Sequence, residues 1–88
     1  MKVEFNESFL NDLKAVKDKS VLAKAKAAIE ASELADALDQ ITNLKKMRGS
    51  REYFRIRIGD FRLGLKLEGD TLVFIRFLNR KDIYRYFP

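Results

Sequence analysis

Residues Tyr53 to Lys66 read YFRIRIGDFRLGLK, and no other stretch leaves the backbone so few options. Phe54, Ile56 and Ile58 alternate with Arg55 and Arg57. Beyond Gly59-Asp60, Phe61, Leu63, Leu65 and Leu67 alternate with Arg62, Gly64 and Lys66. Successive side chains of a strand point to opposite faces, so this alternation predicts two strands joined by a tight turn at Gly59-Asp60. The apolar set then covers a core, and Arg55, Arg57, Arg62 and Lys66 share the other face. Many antiparallel sheets carry a solvated polar face, and that plain reading suits an ordinary hairpin. An ordinary face mixes both signs, however, and no acid stands between Arg55 and Arg57 or between Arg62 and Lys66. Four cations on one face repel one another until an anion neutralises them. Gly64 in their midst leaves room for a backbone to come close. The face reads as a docking surface for phosphate.

Charge is distributed unevenly along the chain. Residues 1–40 hold six Lys and eight acids, whereas residues 41–88 hold twelve Lys or Arg and five acids. All eight Arg lie in the second half. Guanidinium forks grip phosphate in a fixed geometry, so a basic half of this kind suggests nucleic acid first and an acidic protein second. The 88 residues allow one domain, spanning 1–88. Its 47% hydrophobic content, with seven Phe and three Tyr, suffices for one layer of helices on one sheet. Cys and His are both absent, which excludes a disulfide framework, thiol chemistry, zinc sites and any histidine acid or base. No metal and no cofactor are expected. No apolar run approaches 18 residues and MKVEFNES is no signal peptide, so a soluble cytoplasmic protein without membrane contact is expected.

Upstream, Lys2 to Phe5 reads as a short strand, and Asn6 or Ser8 can cap a helix over 7–17 carrying Phe9, Leu10, Leu13 and Val16 at helical spacing. Asp18-Lys19-Ser20 breaks that pattern and offers a new cap. Val21, Leu22, Ala25, Ala28 and Ile29 mark a second helix, antiparallel to the first across a three-residue connection. Residues 32–44 allow one or two helical turns or a structured loop. Lys45 to Ser50 reads as a basic loop, with a solvated turn as its plain alternative. Gly69-Asp70 closes a second hairpin, and TLVFIRFL at 71–78, apolar on both faces apart from Arg76, belongs inside the sheet. Asn79 to Pro88 reads as a basic-aromatic tail too brief for a full helix. The order β-α-α-β-β-β is that of an α+β domain: an N-terminal strand, an antiparallel helical hairpin on one sheet face, then a three-stranded antiparallel meander. The arginine face is expected to stay uncovered.

NLKKMRG at 43–49 and YFRIRIGDFRLGLKLEGDTLVFIRFLNRKDIYRYFP at 53–88 resemble the RelE/ParE toxin superfamily of bacterial toxin–antitoxin pairs. The resemblance covers essentially the whole chain. RelE-like members are metal-independent endoribonucleases that cut messenger RNA in the ribosomal A site, whereas ParE-like members share the fold but target gyrase. The resemblance implies a toxin with a cognate acidic antitoxin and, in the RelE-like case, mRNA on the ribosome as substrate. Its alternatives are a gyrase-type binder and an RNA-binding homologue with weakened cleavage. Matched by motif, Arg55, Arg57, Arg62, Arg80 and Tyr84 fall on the positions that RelE-like ribonucleases use for RNA binding and cleavage. Lys45, Lys46, Arg48, Lys66, Lys81 and Arg85 are the further cations expected to hold RNA. Two positions depart from the family. The first pair is often lysine, and an arginine stays protonated and makes a poor base. Many relatives also carry His where this chain has Asn79, so acid–base work passes to Tyr84, Lys81 or the ribosome. In line with those roles, Arg62 and Arg80 would stabilise charge on the phosphorane oxygens, while Tyr84 would stack on a base or serve as acid. The plain alternative for Tyr84 is packing on the sheet edge.

Overall fold

The alternation at residues 53–67 becomes the middle of a five-stranded sheet. A computed structural model describes all residues, 1–88. In chain order it contains β1 (Lys2–Phe5), α1 (Glu7–Ala15), α2 (Lys19–Leu34), a 3-10 turn (Leu38–Gln40), β2 (Leu44–Lys46), β3 (Tyr53–Ile58), β4 (Phe61–Glu68), β5 (Thr71–Asn79) and α3 (Arg80–Tyr86). The strands lie in the order β1-β5-β4-β3-β2. Neighbours run antiparallel except β1 and β5, which are parallel. Gly59 and Gly69 turn the two hairpins at φ 57° and 60°, a region that costs a side chain but not glycine.

Phe54, Ile56, Ile58, Leu63, Leu65, Leu72, Phe74 and Phe77 all face the helices, where they meet Phe9 and Ala25 in one core. The expected faces of the central hairpin therefore stand. Helix α1 lies against β5, and α2 reaches β1 and β3. Asp18 starts α2, its carboxylate accepting from the Ser20 and Val21 N–H groups at 2.9 and 3.3 Å. Asn6 occupies the corresponding position before α1 without a side-chain cap bond.

Strand β1 pairs with β5 only from Thr71 to Phe74. Beyond Phe74, β5 bulges opposite Gly64 and Leu65, leaving Ile75 with no facing residue. Helix α1 meets the backbone groups exposed there. Ser8 Oγ donates to the Ile75 carbonyl at 2.6 Å, and Asp12 Oδ2 accepts from the Phe77 N–H at 2.9 Å. Asp12 also takes Arg76, Nε to Oδ2 at 2.8 Å. Ser8 and Asp12 are one helical turn apart, which is why a single helix face can satisfy the edge.

Several expectations need correction. The basic loop at 45–50 begins as strand: Leu44–Lys46 pairs with Phe54–Ile56, so the sheet gains a fifth strand at its β3 edge. The first helix stops at Ala15, and Leu10 is 44% exposed rather than packed. Residues 32–44 split between the end of α2, a 3-10 turn and β2. The C-terminal tail is a helix, α3, capped by Asn79, whose Oδ1 accepts from the Lys81 N–H at 3.0 Å. Its Ile83 and the following Phe87 are buried with Met47 against Tyr53, Ile75 and Leu78, forming a second small core. The far face is thus covered in part. Gly64 makes room for the ring of Phe87 and for no ligand, since a Cβ there would stand 2.8 Å from Phe87 Cδ2.

Candidate functional site

Helix α3 divides the cations of the far face into two populations. Lys66 lies at one end with Tyr53, Tyr86 and Phe87. Its Nζ is 3.3 Å from Glu68 and sits over the Tyr53 ring at 5.6 Å. The hydrogen bond to Glu68, helped by Glu52, pushes the Lys66 pKa above its ordinary value. Arg76 is likewise spoken for, its pKa raised by the Asp12 hydrogen bond. Besides these pairs the chain forms one further ion pair, between the exposed Lys2 and Asp70.

The arginines at the other end have no such partners. Arg57 and Arg62 stand directly opposite on β3 and β4, one step from the Gly59-Asp60 turn. Directly opposed side chains of an antiparallel pair have Cβ atoms roughly 4.5–5.5 Å apart, and like charges at that spacing destabilise the pair. None of Arg55, Arg57, Arg62 and Arg80 has a carboxylate within the 4.0 Å of an ion pair. Arg62 instead folds back on the turn, Nη1 donating to the Gly59 carbonyl at 2.8 Å and the Phe61 carbonyl at 2.9 Å. Its Nε is buried without a partner. The turn is tied to the start of α3, where the Arg80 N–H donates to the Asp60 carbonyl at 2.8 Å.

Arg57, Arg62 and Arg80 line a single groove of about 720 Å³ between the turn and α2. Arg55 lies two residues before Arg57 on the same strand face, half-buried and paired across strands with Lys45 and Gly64. Tyr84 is one helical turn beyond Arg80 and 61% exposed. It does not pack on the sheet; Ile83 and Phe87 do. The other expected cations scatter. Lys46 pairs with Phe54 and so belongs to the helical face, apart from Lys45. Arg48 is exposed in the connection after β2, and Lys81 and Arg85 are exposed on α3.

Sequence reasoning missed Lys24, Thr42 and Asn43, all of which line the groove. A signal was there for the first. Lys24, Ala27, Ala28 and Ala31 follow the i, i+3, i+4, i+7 pattern of one helix face, and small residues replace the bulk a packed face would carry. Asn43 holds φ at 64°, and its carbonyl accepts from the Arg57 N–H at 3.2 Å. Nothing in a linear sequence brings that residue to Arg57.

A family model described as the ParE toxin of the type II toxin–antitoxin system matches residues 3–84. The chain belongs to the RelE/ParE toxin superfamily. This toxin is 40% identical over 89 residues to Toxin RelE3 of Methanocaldococcus jannaschii, the alignment covering 100% of both chains. It matches a chain of the RelB–RelE antitoxin–toxin complex from Methanococcus jannaschii with a TM-score of 0.81 and 38% identity, over 97% of this chain and 99% of that one. The YoeB dimer from Staphylococcus aureus shares the fold, with a TM-score of 0.74 at 18% identity over 91% and 97% of the two chains. The toxin is therefore one of a type II toxin–antitoxin system, with the α+β fold expected of its family. None of its helices is long and apolar enough to cross a membrane.

Proposed function

We propose that this toxin is an endoribonuclease that cuts mRNA on the ribosome without a metal of its own. The observation that carries the reading is the opposed pair Arg57 and Arg62, joined by Arg80 in one groove and left without a carboxylate. Such a cluster is at its most stable with a phosphate among its members. Cleavage by the neighbouring 2′-hydroxyl suits it. The 2′-hydroxyl gives up its proton to a ribosomal group or water as its oxygen attacks phosphorus in line, and charge builds on the non-bridging oxygens. The P–O5′ bond breaks as the 5′-oxygen takes a proton, leaving a 2′,3′-cyclic phosphate and a 5′-hydroxyl. Arg57, Arg62 and Arg80 would meet the developing charge, a contribution on the order of 3 kcal/mol for each well-placed donor. Arg62 would exchange its two turn carbonyls for phosphate oxygens. Arg55 would hold a flanking phosphate. Tyr84, exposed beside Arg80, would stack on a base or protonate the leaving oxygen. Lys45, Lys81 and Arg85 would extend contact with the strand, whereas Lys66 is engaged by Glu68.

A RelB-type antitoxin is the partner we infer, because two relatives were solved as RelE–RelB complexes. Single-turnover cleavage on programmed ribosomes, with divalent ions limited to ribosome-bound Mg²⁺, tests the reading. Arg57→Ala and Arg80→Ala should each slow cleavage by about 10²–10³-fold, and Tyr84→Phe should slow it while sparing ribosome affinity. Full activity in all three variants would remove these residues from the site, and intact mRNA with the parent toxin would end the ribonuclease reading. The ParE description of the matching family favours one second reading, a toxin that acts by binding a protein target such as gyrase. In that case the same variants keep ribosomal mRNA intact and the parent inhibits gyrase directly.

A further inference from the structure

We propose that the groove beside α2 holds one unpaired ribonucleotide and reads its base. The inference deepens the ribonuclease reading by naming where sequence preference resides. At about 720 Å³ the groove falls within the range of small-ligand sites, roughly 300–1,000 Å³. Its chemistry is sorted by position. Lys24, Arg57, Arg62 and Arg80 supply four cations against the single carboxylate of Asp60. Its accessible apolar lining is Ala27, Ala28 and Ala31, with the core residues Ile41, Ile56 and Ile58 closing its floor. Thr42 and Asn43, both exposed, add a hydroxyl and an amide. A nucleotide asks for these three things together: cations for the phosphate, an apolar slot for the faces of the base, and hydrogen-bonding groups at its edge. An amide can pair bidentately with adenine and a hydroxyl with any base, while unstacked bases pack between apolar side chains as well as aromatic ones.

The α2 side contributes more than a wall. Ala27 and Ala31 are exposed on the helix face that looks into the groove, so their small size costs the core nothing and leaves the slot open. Lys24 comes from α2, whereas Arg57 and Arg62 come from the sheet, so a phosphate in the groove would lie among cations of both layers. An acidic peptide could use the same cations, but it has no need of an alanine-lined slot beside them or of an edge-reading amide. Asn43 is placed to serve as that amide because its left-handed backbone is one that asparagine tolerates well.

The test separates this inference from the ribonuclease reading by measuring binding and cleavage independently. The binding probe is a set of 2′-O-methylated single-stranded hexaribonucleotides differing at one central base, titrated into the isolated toxin by NMR. We expect amide shifts at Ala27, Ala31, Thr42 and Asn43. We expect Ala27→Leu to weaken binding about tenfold or more, because it fills the slot. Asn43→Gly keeps the backbone conformation and removes the amide, so it should bind with a changed base preference. On programmed ribosomes, Asn43→Gly and Thr42→Val should redistribute cleavage among sequence positions, with total cleavage within about tenfold of the parent. The inference is overturned if oligonucleotides shift none of these amides, or if all three variants keep the parent's affinity and cleavage pattern. It is also overturned if Ala27→Leu spares RNA but loses the antitoxin, which would make the groove a protein site. Groove binding without any cleavage would leave the inference standing and remove the ribonuclease reading instead.

Discussion

Arg62 and Leu63 are chain neighbours whose surroundings have nothing in common. Leu63 is fully buried in the main core, while Arg62 lies over the turn with two hydrogen bonds to its carbonyls. Leu63→Ala should cost about 2–5 kcal/mol, a large part of the stability of so small a domain. Arg62→Ala should cost far less, because the turn carbonyls pass to water, yet it should relieve growth arrest. Urea melts of the two variants beside a growth assay measure both effects. Equal destabilisation would show that the two faces had been misassigned. Asp12 is a third kind of residue, polar and structural. Asp12→Ala leaves the Phe77 N–H and the Arg76 guanidinium unpartnered, for an expected loss of about 1–3 kcal/mol. Asp12→Asn, which retains an acceptor, should recover part of that loss in the same urea melt.

Two elements carry predictions about how they are held. Helix α2 begins on Asp18, whose hydrogen bond with the Ser20 hydroxyl, followed by those with the Val21 and Ser20 amides, holds its carboxyl below the usual range. A lowered folded pKa means that the contribution is complete above the ordinary carboxylate value, about 3.9, and fades as pH falls through the lower folded value. Asp18→Asn keeps a capping acceptor but cannot be protonated. Its melting temperature should therefore match the parent near neutrality and fall less steeply below about pH 4. Helix α3 depends on Ile83 and Phe87, and Phe87 depends on Gly64 being bare. Gly64→Ala places a methyl where the Phe87 ring lies, at an expected cost of about 1–3 kcal/mol from overpacking. Hydrogen exchange should then quicken at the amides of α3 while β3 and β5 stay protected. Unchanged protection in α3 would mean that the ring moves aside freely.

At the scale of the molecule, the arginine groove sits at one end of the sheet and the paired cations at the other. The free toxin therefore presents a focused positive field at the groove. An acidic antitoxin drawn to that end should associate faster at low salt, and raising ionic strength should slow association more than it speeds dissociation. Stopped-flow association at several salt concentrations checks this. A rate indifferent to salt would place the antitoxin's first contact on the helical side.

The sequence alone determined the central hairpin, its buried face, the turns at Gly59 and Gly69, the place of β5 inside the sheet and the family. Each of these is local, because a period-two pattern or a turn glycine acts on its own few residues. Arg55, Arg57, Arg62, Arg80 and Tyr84 could be nominated from the same stretch. Which cations remain unpaired was a different matter. Lys66 meets Glu68, Arg76 meets Asp12 from a helix 64 residues earlier, and Lys46 turns to the opposite face through its pairing with Phe54. Strand β2 and helix α3 were illegible for a related reason. Three residues of Leu-Lys-Lys carry no pattern without β3 to pair with, and seven residues of basic-aromatic chain form a helix only when Ile83 and Phe87 find Met47, Ile75 and the bare Cα of Gly64. Short elements draw their stability from tertiary contacts rather than propensity. Only the folded chain could bring Lys24 and Asn43 to the groove, since their contact with the arginines crosses elements that local sequence cannot see.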